Sequence, residues 1–250
     1  MSAAAQTQNN RAPAHAGQQS SDTTPSLLRA VLRLVFWLFV ALLFSILVEW
    51  IGMLFWWPDE GMAHSRAMLA DELGYLSGDL RATLLVSDTA AFAQGFAETV
   101  YHWLWQKSGL EAAIAWLAAT PPVEASAWQA GLHAGYTLVA DFVVAAATIT
   151  QVFSVRLAVL SLAMPAFALA ILVGTLDGLV LRDLRRWGGG RESSYLYHHA
   201  KRWIWPLFIT AWVLYLSLPF SVHPAFSILP FAALIGLLVA ITAASFKKYL

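Results

Sequence analysis

Residues 136–181 read YTLVADFVVAAATITQVFSVRLAVLSLAMPAFALAILVGTLDGLVL, and the form this run takes decides the fold of the chain. Its only charges are Asp141, Arg156 and Asp177. It is too apolar to face water throughout and too long for one bilayer crossing, which takes about 20 residues. Two arrangements compete. Residues 136–155 and 157–181 are separate spans folded into a hairpin at Arg156, or one long helix begins outside the membrane near Ala134 and crosses over about 157–181. No Gly, Pro or Asn stands between Phe142 and Leu162 to turn the chain. The long helix is therefore the expected form. Pro165 falls within it as a kink, which membrane helices tolerate because neighbouring groups re-satisfy the freed carbonyl.

Working outward, the whole chain has the same character. Of its 250 residues 59% are hydrophobic and 12% are charged, about half the charged share of a soluble domain. Lipid must replace water over much of the surface. The net charge of zero excludes a globally basic nucleic-acid binder. The lack of cysteine excludes disulfides, thiolate nucleophiles, zinc-thiolate sites and iron–sulfur clusters.

Residues 1–26 are a polar mixture unable to offset its own ordering entropy, and read as a disordered tail. Residues 27–57 form a first span. Their apolar run far exceeds the roughly 7 to 15 residues of a signal peptide's apolar core, and it ends in Trp56-Trp57-Pro58-Asp59 rather than a small-residue cleavage site. Residues 58–135 are more polar and helical in period, with stripes at Leu69, Leu73, Leu76 and Leu80 and at Phe92, Phe96, Val100 and Trp103. Ser87 or Asp88 caps the second of these helices, Ser108 with Glu111 makes a capping box for a third, and Pro121-Pro122 ends it. After a basic loop at 182–202, residues 203–222 and 226–246 are two more spans, joined by a short turn at His223-Pro224.

The fold class expected is thus all-α: a polytopic inner-membrane protein with about four transmembrane helices and an amphipathic helical periplasmic segment. Charge orients it. One side holds Arg29, Arg33, Arg182, Arg185, Arg186, Arg191, Lys201, Arg202, Lys247 and Lys248 against Asp183 and Glu192. The other side, 58–155, holds Arg66, Arg81 and Lys107 against ten acids: Asp59, Glu60, Asp71, Glu72, Asp79, Asp88, Glu98, Glu111, Glu124 and Asp141. Cations stay cytoplasmic, which places both termini inside and the acidic segment outside.

The ionisable groups within the spans, Glu49 and Asp177, lie near the interfaces, Asp177 about one turn from Arg182, and snorkelling or pairing accounts for them. No midplane carboxylate or internal repeat marks a carrier. The seven histidines lie in the tail, loops, outer helices or interfaces, which does not suit haem ligation, and the adjacent His198 and His199 diverge by about 100° on a helix. No catalytic residue, metal ligand or cofactor is expected. The loop is the most informative segment. Arg182, Arg185, Arg186, Gly188, Gly189, Gly190, Arg191, Glu192, Tyr197, His198, His199, Lys201 and Arg202 combine a glycine break permitting positive φ with charge and aromatic faces. These residues suit contact with anionic headgroups or a docking protein. Six cations without a folded domain would hold DNA only weakly, so no direct nucleic-acid binding is expected.

The run from Asp177 to Ser194, followed by Tyr197-His198-His199-Ala200-Lys201-Arg202, resembles the integrating-conjugative-element membrane proteins, a family built on a domain of unknown function. The similarity extends over about residues 27–250, including Glu49-Trp50 and Trp57-Pro58. The resemblance implies an inner-membrane component encoded with a mobile element's type IV secretion and conjugation genes, and it carries over no catalytic residue. The expected function is that of a non-enzymatic accessory of conjugative DNA transfer. Its partners would be the bilayer and other membrane subunits of the apparatus, with a homo-oligomer compatible. The rival is a membrane enzyme or carrier acting on lipid or a small solute through Glu49, Asp177 and the two histidines.

Overall fold

The computed structural model describes residues 26–78, 88–120, 126–188 and 194–246. Among them every regular element is helical: α1 (Ser26–Phe55), α2 (Met62–Gly78), α3 (Thr89–Tyr101) continuing into a π-helical turn (His102–Gln106), α4 (Leu110–Ala118), α5 (Ala127–Leu162), α6 (Met164–Trp187), α7 (Ser194–Ser217) and α8 (Pro224–Ala244). The chain divides into two units, residues 1–37 and 38–250. In the first, the described part is the opening of α1, with Leu32, Val35 and Trp37 all exposed. The second contains everything below.

The long apolar run is neither a hairpin nor one unbroken helix. The helix stops at Leu162, passes Ala163 in a helical-region conformation, and restarts at Met164. The cause is Pro165, whose ring crowds the carbonyl four residues back and which has no N–H to bond it. Placed in the first turn of α6, its missing N–H costs nothing. α5 and α6 have little contact with each other, so they do not fold back together. α5 starts earlier than expected, at Ala127, where the Gln129 Oε1 accepts from both the backbone N–H and the hydroxyl of Ser126 at 3.0 Å.

α2 and α3 pack on α5. The outer half of α1 joins them, Trp50 Nε1 donating to the Phe142 carbonyl at 2.9 Å and Ile46 packing near Met68, Ile149 and Val152. The expected α3 stripe is rotated. Thr89, Ala93 and Ala97 are buried, while Phe92 and Trp103 are exposed, because two helices approach closely only where the contact residues are small. Asp88 caps α3 as expected, accepting from the Ala91 N–H at 2.9 Å. The Ser108–Glu111 capping box does not form: the Ser108 hydroxyl donates back to the Leu104 carbonyl, and Gly109, at φ +79°, opens α4 instead.

α8 lies between α6 and α7, packed on both. Its seam with α6 is built from two four-residue repeats of small side chains, Ala170, Gly174 and Gly178 against Ala232, Gly236 and Ala240. A Cβ on Gly174 or Gly178 would run into the backbone of Gly236 or Ala240. This is how helices associate where lipid removes the hydrophobic drive and van der Waals contact must supply it. α7 and α8 are antiparallel, with a ring contact between Tyr197 and Phe246 at their far ends. The expected span at 203–222 is shifted: α7 begins at Ser194 and ends at Ser217, because Pro219 disfavours helix at Leu218. Leu80, Ser87, Pro121, Pro122, Gly189, Gly190, Arg191, Glu192, Lys247 and Lys248 lie outside the described residues.

Candidate functional site

The most polar place in the interior is where α5 meets the α7–α8 turn. Arg156 stands nearly two turns before the Pro165 break and is 1% exposed, and Glu72 of α2 is fully buried beside it. The Arg156 Nε donates to Glu72 Oε1 at 2.8 Å, and Nη2 lies at 2.8 Å from the same oxygen. Nη1 donates to the Leu218 carbonyl at 2.5 Å and Nη2 to the Phe220 carbonyl at 2.8 Å. The Tyr215 hydroxyl donates to Glu72 Oε2 at 3.3 Å, and the guanidinium carbon lies 5.6 Å from the Tyr215 ring centre. One side chain thus satisfies two carbonyls of the turn that follows α7, from another helix. Burial pushes the Glu72 carboxyl above its ordinary range, and the Arg156 guanidinium and Tyr215 hydroxyl oppose this. A guanidinium, with five donors in a fixed fork, is suited to serve a carboxylate and two carbonyls at once.

A second buried acid behaves alike. Glu49 of α1 is 1% exposed, and its oxygens lie 3.1 and 3.3 Å from His64 Nδ1 of α2. The imidazole stacks on Trp57 at 3.9 Å, and Trp57 in turn covers Gly52, where a Cβ would strike its ring. The pair closes the bend between α1 and α2.

The expected interaction residues are distributed differently from a loop. Arg182, Arg185 and Arg186 belong to the last turns of α6, and Tyr197, His198, His199, Lys201 and Arg202 to the first turns of α7. Gly188 ends α6 at φ −82°, so the expected positive φ is not found there. His199 Nδ1 donates to the Tyr195 carbonyl at 3.2 Å, and Lys201 lies over Tyr197. Asp177 is exposed on α6; the acid that pairs with Arg182 is its neighbour Asp183, at 3.4 Å. Glu72, counted among the outward-facing acids, is the partner of the one cation inside the long apolar run. The lone charge at Arg156 was visible in the sequence, but its partner is 84 residues away and no spacing points to it.

The fold and its ionic junction define an all-helical protein, among whose described residues three helical stretches, Leu28–Phe55, Ala127–Trp187 and Pro224–Ala244, are long and apolar enough to cross a membrane. A membrane protein is the class this suggests. The chain belongs to the family of IncC plasmid conjugative DNA transfer proteins described as DtrJ-like, whose family model matches residues 56–247. Membership implies involvement in conjugative DNA transfer. No curated protein and no solved structure matches the chain.

Proposed function

We propose that this chain is a four-span inner-membrane accessory component of an integrating conjugative element, serving a type IV secretion-like transfer of DNA through protein contacts and without catalysis of its own. α1, α6, α7 and α8 are the spans, and both termini face the cytoplasm. α7 is not among the three stretches apolar enough to cross by composition alone, yet its 24 residues extend about 36 Å, and it runs antiparallel along α8, so a crossing by α8 takes α7 with it.

The observation that carries the reading is the use made of buried charge. Glu49, Glu72 and Arg156, the buried side chains of acidic or basic residues among the described residues besides His133, are engaged in joining helices to one another. A carrier or membrane enzyme would aim such groups into a cavity along its path. The surface, by contrast, carries exposed apolar side chains on the first turns of α5, among them Trp128, Leu132 and Leu138, the last 81% exposed. That face is where other subunits of the apparatus dock.

The test is conjugation frequency from donor cells. An in-frame deletion abolishes or sharply lowers transfer, and a paired Trp128→Glu and Leu138→Glu change reproduces the defect with normal protein level. Transfer that stays at wild-type frequency after deletion, with neighbouring genes expressed, would refute the proposal. Loss of transfer with His198→Ala or Asp177→Asn, but not with the docking-face pair, would favour the enzyme or carrier.

A further inference from the structure

The inner end of α6 combines an exposed apolar stripe with a small-residue face that runs on into a cluster of arginines. Leu169, Val173, Leu176, Val180, Leu184 and Trp187 recur at helical spacing and form one exposed apolar stripe that continues to the last residue, Leu184 being 63% and Trp187 91% exposed. Ala170, Gly174 and Gly178 form the face that meets α8. Arg182, the next step of four along that face, is followed by Arg185 and Arg186 at i+3 and i+4, so all three guanidinium groups share one side of the helix. The single acid among them, Asp183, lies 3.4 Å from Arg182 and 4.0 Å from Arg186. Arg185 has no ionic partner among the described residues.

The stripe fixes the depth of these cations. Trp187 lies five residues beyond Arg182, about 7 Å further along the axis. A fully exposed indole at that level belongs to the bilayer interface. The arginines, on the same turns, therefore stand at the height of lipid phosphates and not out in the cytoplasm. They sit at the inner mouth of the seam between α6 and α8, one step of four beyond Gly178, which packs on Ala240. Guanidinium forks suit phosphate oxygens, and one acid shared by three cations leaves two net positive charges.

We infer that the inner end of α6 is a binding site for the headgroup of an anionic phospholipid, with Arg182, Arg185 and Arg186 on the phosphate at the inner mouth of the α6–α8 seam. This rests on the span assignment proposed above and assigns these arginines to lipid rather than to a docking protein. Near a membrane surface each cation contributes about 1 kcal/mol toward anionic lipid, so two net charges correspond to roughly a thirtyfold preference at low salt.

The test uses the purified full-length protein in phosphatidylcholine vesicles carrying a trace of spin-labelled phosphatidylglycerol or spin-labelled phosphatidylcholine, with the motionally restricted fraction read by electron paramagnetic resonance. The wild type should favour phosphatidylglycerol by tenfold or more. Changing all three arginines to Gln should bring the ratio close to one, and changing all three to Lys should keep most of it. Inorganic phosphate should reduce the preference no more than chloride of equal ionic strength. No preference in the wild type, a preference that survives the Gln variant, or selective displacement by inorganic phosphate would each overturn the inference, as would tighter association with duplex DNA than with the vesicles. Protein that fails to float with the vesicles would remove the span assignment and this site together. A lost lipid preference with unaltered conjugation phenotypes of the docking-face variants would remove this site alone.

Discussion

Replacing Arg156 by Met tests whether the fold is held at the junction of α5 with the α7–α8 turn. The substitution fits the volume but strips Glu72 of its counter-ion and leaves the Leu218 and Phe220 carbonyls without their donors. Breaking a buried ion pair from one side costs about 3–5 kcal/mol, and an orphaned buried carbonyl costs a further ~1–3 kcal/mol. Protonation of Glu72 limits the sum, since burial already raises its affinity for a proton. A loss of about 4 kcal/mol is therefore expected. Glu72→Leu alone strands a buried guanidinium and should cost about 3 kcal/mol or more. The double change Arg156→Met with Glu72→Leu removes both charges and retains only the uncharged deficits, the two carbonyls and the Tyr215 hydroxyl, so it should be more stable than either single variant by about 1–2 kcal/mol. The assay is equilibrium unfolding of the purified protein in mixed micelles, followed by tryptophan fluorescence and closed as a double-mutant cycle. Single variants within about 0.5 kcal/mol of wild type that add linearly in the double would refute the reasoning.

Other outcomes follow from the same contacts. Gly174→Val should destabilise by about 1–3 kcal/mol or prevent folding, because the new side chain meets the Gly236 backbone, whereas Gly95→Ala on α3, with no neighbour within 4 Å, should be neutral or stabilising by up to about 1 kcal/mol; both are read by the same unfolding assay. His64→Ala should cost about 1–3 kcal/mol by leaving the buried Glu49 unpaired, and Glu49→Gln, which keeps a hydrogen bond to the imidazole, should cost less. Sidedness is accessible because the chain has no cysteine: a membrane-impermeant maleimide should label Leu138→Cys in intact cells and miss Tyr195→Cys until the cells are opened. Cysteine at position 72 should resist the reagent on either side, since Glu72 is buried.

Periodicity and composition carry far in this chain because each membrane-compatible helix satisfies its own backbone, and so its length and apolarity are properties of a continuous segment. The helical and apolar character of 157–181 and of α8 was legible for that reason. Where neighbours compete for the same surface, local pattern was a poorer guide. The aromatic stripe of α3 lost the buried position to Ala93 and Ala97, and the capping box at Ser108 gave way to Gly109. The paired small-residue repeats of α6 and α8 were present in the sequence, but each is informative only once the other is known to face it.

The sequence by itself determined that the protein is helical, that it suits a lipid environment, and that a cation-rich end opposes an acid-rich segment, because these are sums over contiguous residues. Only the tertiary structure decided that Glu72 belongs to Arg156 and Glu49 to His64, and that Pro165 parts one helix into two. An ion pair needs contact across a few ångströms, and chain separation of 84 residues encodes nothing about that distance until the helices between have packed.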